Sequence, residues 1–157
     1  MTRHVGSLFL LVTLMGLGGC DNQNEKRKVD LPTPPTAEQI AECEKVMKLK
    51  LPKSATPIAL DKTTQGSEVL YTFKVEMPAA DVEAFLKTTL FRSKPLASDD
   101  RCVQSGSATR TWWDPETVEK FRAARHTIRP GFEEQSLMID ESKGDRAFVY
   151  IMHSTSQ

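Results

Sequence analysis

Glu68 to Met77 reads E-V-L-Y-T-F-K-V-E-M, with Val69, Tyr71, Phe73, Val75 and Met77 on one side and Glu68, Thr72, Lys74 and Glu76 on the other. A period of two sustained over this stretch predicts a half-buried strand of an antiparallel sheet. Ile58 to Asp61 is a weaker partner strand, joined to it through T-T-Q-G-S. Near the end of the chain, Gln135 to Ile139 and Arg146 to Met152 flank D-E-S-K-G-D, the signature of a hairpin. Its second strand, R-A-F-V-Y-I-M, is apolar on both sides and so belongs in the middle of the sheet.

Elsewhere the period lengthens. Thr36-Ala37-Glu38-Gln39 is a capping box, Thr36 accepting from the backbone and Gln39 reaching back. Ile40, Cys43, Val46 and Met47 follow on one helical face, with Glu42, Glu44, Lys45 and Lys48 on the other, and Pro52 ends the run. A second helix is predicted from Pro78, carrying Val82, Phe85, Leu86 and Leu90 inward. A third is predicted from Asp114-Pro115-Glu116, a cap, a proline at the first helical position and an acid near the positive end of the dipole. It runs on to His126 with Val118 and Phe121 inward. The fold class expected is therefore α+β, an antiparallel sheet of about four strands packed against two or three helices.

The most apolar run of the chain lies outside this domain. After Arg3 and His4, Val5 to Leu17 is apolar apart from Gly6, Ser7, Thr13 and Gly16, the layout of an export signal. A spanning helix needs about 20 apolar residues, so the run is too short for an uncleaved anchor. It ends on Leu17-Gly18-Gly19-Cys20. This tetrapeptide resembles the lipobox of bacterial lipoprotein precursors, with Gly18 where Ala or Ser is commoner. The resemblance covers only the first twenty or so residues. It implies that residues 1–19 are a signal peptide and that the Cys20 thiol receives a diacylglyceryl group before cleavage. It implies a mature protein anchored to a membrane by lipid rather than spanning it, because two or more chains anchor stably where one does not. Asp21 resembles the enterobacterial signal that retains a lipoprotein on the periplasmic face of the inner membrane; a host that sorts differently would send it to the outer membrane.

Asp21 to Pro35, D-N-Q-N-E-K-R-K-V-D-L-P-T-P-P, has almost nothing to bury and ends in three prolines. With Cys20 it forms a 20–35 tether, flexible first and polyproline-like later, with a reach on the order of 20 Å. Residues 36–157 are then one small domain, of a size that buries one real core. Loss of residues 1–19 removes one base, Arg3, from 21 bases and 21 acids, leaving a net charge of −1. That balance argues against a nucleic-acid partner, which asks for a basic surface.

With Cys20 assigned to lipid, Cys43 and Cys102 remain as an even pair in an exported protein, and a disulfide between them is expected. It would pin the polar stretch from Arg92 to Arg110. Metal binding has no support, because there is no C-x-x-C and no His at ligand spacing from either cysteine, and no cofactor motif is present. Past the tether the only histidines are His126 and His153, and no nucleophile elbow, zinc-protease motif or phosphate-binding glycine loop occurs.

Thr111-Trp112-Trp113-Asp114 is the one unusual constellation. On extended backbone neighbouring side chains point to opposite faces, so one Trp can be core while the other anchors a partner, with Arg110 beside it. The alternative is that both tryptophans cover the edge of the core. The functional expectation is an anchored, non-catalytic envelope protein that binds another protein. Its alternatives are a small periplasmic hydrolase or ligand-binding module with a cleft near Trp113, Arg110 and the Cys102 loop, or an immunity protein against a periplasmic toxin.

Overall fold

The computed structural model describes residues 32–103 and 110–156. The expected signal peptide, Cys20 and the expected tether as far as residue 31 lie outside the described residues. Helix α1 spans Ala37–Val46, strand β1 Thr56–Gln65 and strand β2 Glu68–Pro78. A 3₁₀ turn, Ala79–Asp81, leads into the short helix α2, Val82–Leu86. A second 3₁₀ turn, Pro115–Thr117, precedes β3 (Phe121–Arg129), β4 (Glu133–Asp140) and β5 (Arg146–Ser156). The strands form one five-stranded sheet in the order β1-β2-β5-β4-β3, every pair antiparallel. No helix among the described residues is long and apolar enough to cross a membrane.

The capping box forms as the sequence predicts: Thr36 N donates to Gln39 Oε1 at 2.8 Å and Gln39 N to Thr36 Oγ1 at 3.3 Å. Pro52 is not what ends α1. Lys48 takes φ 51°, Met47 N donates to Cys43 O at 2.8 Å and Leu49 N to Glu44 O at 3.1 Å, a Schellman-type closure built on a non-glycine residue. Between β1 and β2 only Gly66 and Ser67 intervene, and the tight reversal needs the positive φ of 60° that Gly66 supplies.

Alternation along the strands divides the interior into two cores. On one face, Phe73, Val75, Met77, Leu137, Ile139, Val149 and Ile151 pack against Cys43 and Met47 of α1 and Val82, Phe85 and Leu86 of α2. On the other, Ala59, Ala123, Met138 and Tyr150 pack under Cys102, Val103, Trp112, Trp113 and Val118. β5 feeds both cores and sits at the centre of the sheet, as its two-sided apolarity requires.

Three expectations are corrected. The stretch after Asp114 is not a helix: Asp114 makes no side-chain cap, the turn lasts three residues, and Phe121–Arg129 is strand β3. The sheet therefore has five strands rather than four, with two short helices. The second helix begins four residues after Pro78 and stops at Leu86, so Leu90 lies beyond it. Cys43 and Cys102 are both free, buried thiols. Cys43 belongs to the helix-side core and Cys102 to the opposite core.

Candidate functional site

Lys74 lies on β2 between Phe73 and Val75, both of which face the helices, so alternation turns it to the opposite side of the sheet. A lysine there enters the second core, and its side chain is only 10% exposed. A buried ammonium must find partners. Its Nζ donates to Asp114 Oδ1 at 2.6 Å and to Trp112 O at 2.9 Å, and lies 4.7 Å from the Tyr150 ring centroid and 5.3 Å from that of Phe148. Tyr150 Oη, from the neighbouring strand, donates to the same Asp114 oxygen at 2.8 Å.

This Lys74–Asp114–Tyr150 cluster explains the Trp pair. Asp114 gives up capping because Lys74 and Tyr150 hold its carboxylate, and that contact ties the irregular segment before β3 to the sheet. Trp112 is 9% exposed and Trp113 2%. The rings stack edge to face at 5.7 Å, and Trp113 meets Tyr150 in the same way at 5.4 Å. Neither Trp is the exposed anchor considered above; both cover the core. Arg110 turns back onto β1, pairing with Asp61 and donating to Thr63 Oγ1 at 2.9 Å.

Partial burial pushes the Asp114 carboxyl up, but the hydrogen bonds from Lys74 and Tyr150 outweigh it and hold the group below the usual carboxylate range. Tyr150 moves the other way: burial, and then its bond to Asp114, raise the phenol far above its ordinary value. At neutral pH Asp114 is therefore ionised and Tyr150 is a fixed donor. A cavity of about 270 Å³ opens beside the cluster, lined among others by Lys74, Asp114, Thr117, Lys143 and Tyr150. Chemically the arrangement neutralises a buried charge and fixes a loop.

Arg101 is a participant that sequence reasoning missed. Its guanidinium donates to Pro115 O and, at 2.7 Å, to Val118 O, while stacking 4.5 Å over Phe121. It thus closes the 3₁₀ turn from outside. The only signal in the sequence was an arginine next to a buried cysteine. Cys102 itself donates from Sγ to Leu137 O at 3.6 Å, and burial raises its thiol above the ordinary value.

A second polar feature crosses the helix-side face. Register aligns Lys62, Tyr71, His153, Gln135 and His126 on successive strands. Glu42 of α1 accepts from Lys62 Nζ at 2.8 Å and from Tyr71 Oη at 3.0 Å. Further along the row, Gln135 and His153 are fully buried, and neither amide atom of Gln135 nor the Nδ1 of either histidine has a hydrogen-bond partner among the described protein groups. Among the described residues no three His, Cys, Asp or Glu side chains converge as metal ligands. Comparison with protein-family models, with curated proteins and with solved structures finds no match for the chain.

Proposed function

We propose that the chain is an envelope lipoprotein held on the periplasmic face of the inner membrane through acylated Cys20, and that its folded domain is a non-catalytic protein-binding module. The observation that carries the anchoring is Leu17-Gly18-Gly19-Cys20 at the end of a short apolar run, followed by a polar, proline-ending stretch that leads to a capped helix start at Thr36. Support for a binding role comes from how the domain uses its unusual side chains. Lys74, Asp114 and Tyr150 satisfy one another, and Arg110 and Arg101 brace loops. The one large apolar side chain exposed among the described residues is Phe132, at 56%, on the β3–β4 hairpin.

Metabolic labelling with a fatty acid, followed by membrane fractionation in an enterobacterial host, tests the anchor. Acylated protein is expected in the inner-membrane fraction, and Cys20→Ser should lose the label. The same acylated species recovered from the variant refutes the lipoprotein reading, whereas recovery in the outer membrane refutes only the sorting role of Asp21. For the binding role, a photo-crosslinker at Phe132 in intact cells should give a discrete protein adduct.

A further inference from the structure

Beside α2, where the chain leaves the helix and runs toward β3, lies a cleft of about 300 Å³. Leu86, Phe91 and Leu96 give it an apolar wall, the first two of them core residues that present only an edge. Lys87, Arg92, Lys94 and Arg122 stand around it, with Glu83 as the one acid. Arg122 is already answered, donating to Glu141 at 2.6 Å and to Glu83 at 2.9 Å. The other three are not. Lys94 Nζ donates to the backbone carbonyl of Arg125 at 3.3 Å, and none of Lys87, Arg92 or Lys94 has a carboxylate within ion-pair distance among the described residues.

Acids and bases balance over the chain, and several surface bases elsewhere have a carboxylate partner. Three like charges converging on one concave, apolar-walled space repel one another, and the low-dielectric wall focuses their field into the cleft. An anion entering there relieves the repulsion, Arg92 offers the planar fork that matches phosphate, and the apolar wall takes up an attached hydrocarbon group. We infer that this cleft binds a phosphate-bearing molecule with an apolar group, the phosphate held by Lys87, Arg92 and Lys94 and the apolar part laid on Leu86, Phe91 and Leu96. Such chemistry is shared by free organophosphates and by anionic phospholipid headgroups with the first part of their chains. The inference stands apart from the anchoring reading, since the cleft belongs to the folded domain whether or not Cys20 is acylated.

The test is amide-resolved NMR titration of the full chain in a non-ionic detergent with three probes: phenyl phosphate, inorganic phosphate and benzyl alcohol. Phenyl phosphate is expected to move and saturate the signals of residues 86–96 and Arg122, binding about tenfold or more tighter than either half of the molecule alone. Soluble dihexanoyl phosphatidic acid is the lipid arm. Tighter binding than phenyl phosphate assigns the cleft to lipid, and weaker binding assigns it to a free organophosphate. The exposed pair Lys87→Glu and Arg92→Glu should weaken phenyl phosphate about tenfold or more while leaving signals of the sheet unchanged. Equal affinity for benzyl alcohol and phenyl phosphate, equal affinity for inorganic and phenyl phosphate, or an affinity unmoved by the charge reversals overturns the inference. Where the double reversal disturbs the sheet signals, Lys87→Gln read by the same titration replaces it.

Discussion

Lys74 and Asp114 are unequal partners, and the inequality decides what each does for stability. The lysine side chain is 10% exposed and the aspartate 41%, so water can reach the carboxylate but hardly the ammonium. Removing the aspartate leaves a buried charge with Trp112 O as its remaining hydrogen-bond acceptor, the situation in which breaking a buried pair is costly. Removing the lysine leaves a half-exposed carboxylate that still accepts from Tyr150. Asp114→Ala is therefore expected to lower the unfolding free energy by about 3 kcal/mol. Lys74→Met, which keeps the hydrocarbon stem against Phe148 and Tyr150, should lower it by only about 1 kcal/mol. Denaturant unfolding of the two single variants and the double variant closes the cycle. Equal losses from the two substitutions would show that burial of the lysine is not what gives the pair its weight. The same asymmetry hid the cluster from sequence reasoning, because Asp114-Pro115-Glu116 satisfies the local rules of a helix start and nothing nearby in sequence announces Lys74.

At the scale of elements, what was legible depended on how strongly local pattern and tertiary packing agreed. The alternation of Glu68–Met77 and the two-sided apolarity of Arg146–Met152 placed β2 and β5 correctly, and the box at Thr36 placed α1, because in each the buried face is continuous along the segment. Phe121–Arg129 is the opposite case. Arg and Ala favour helix there, and an outer strand has few apolar positions with which to show a period of two. Tertiary demand overrides that preference: Gln135 to Asp140 of β4 is buried throughout and needs a strand on its open side. The new edge is partly closed in turn, since Ala97 and Ala123 exchange backbone hydrogen bonds at 2.8 and 2.7 Å. Pairing by count likewise carries no information on which core each cysteine enters, and Cys43 and Cys102 enter opposite ones. One element carries local strain that is testable. Lys48 holds a left-handed conformation at the end of α1, which costs a side-chain-bearing residue about 1–2 kcal/mol and glycine almost nothing. Its ion pair with Glu133, at 4.0 Å and with the lysine half-exposed, gives little back. Lys48→Gly should thus raise stability by about 0.5–1 kcal/mol, part of the relief being lost to the greater freedom of glycine in the unfolded chain. A lower thermal midpoint for this variant would mean that the Glu133 contact outweighs the backbone strain.

For the whole molecule, the two cores differ in how they answer acid. On the helix side His153 is buried with Nδ1 unpartnered, and Nε2 lies 4.0 Å from Glu133. Burial holds the imidazole below its ordinary value of 6.5, against the pull of Glu133 and together with the charge of Lys48. His126 is shifted the same way by burial, Lys94 and Lys48. In the unfolded chain both histidines take up protons near 6.5, whereas in the folded domain they resist until a lower pH. The unfolded state therefore binds more protons within that window, and stability contributed by the neutral histidines declines as pH falls below about 6.5. On the other side Asp114 is held below 3.8, so the stability it contributes is present above that value and is lost as pH falls through its lower folded value. Two separate acid limbs follow, the first from the helix-side core and the second from the Trp-side core. Urea midpoints measured from about pH 7 to about pH 5 should fall for the natural chain at constant m-value. The double substitution His126→Phe and His153→Phe should flatten this first limb and leave the decline below about pH 4 intact, whereas Asp114→Asn should remove mainly the second. A natural chain whose midpoint holds steady or rises between about pH 7 and about pH 5 would show that Glu133 captures the proton on His153 and that the buried row is built to accept charge.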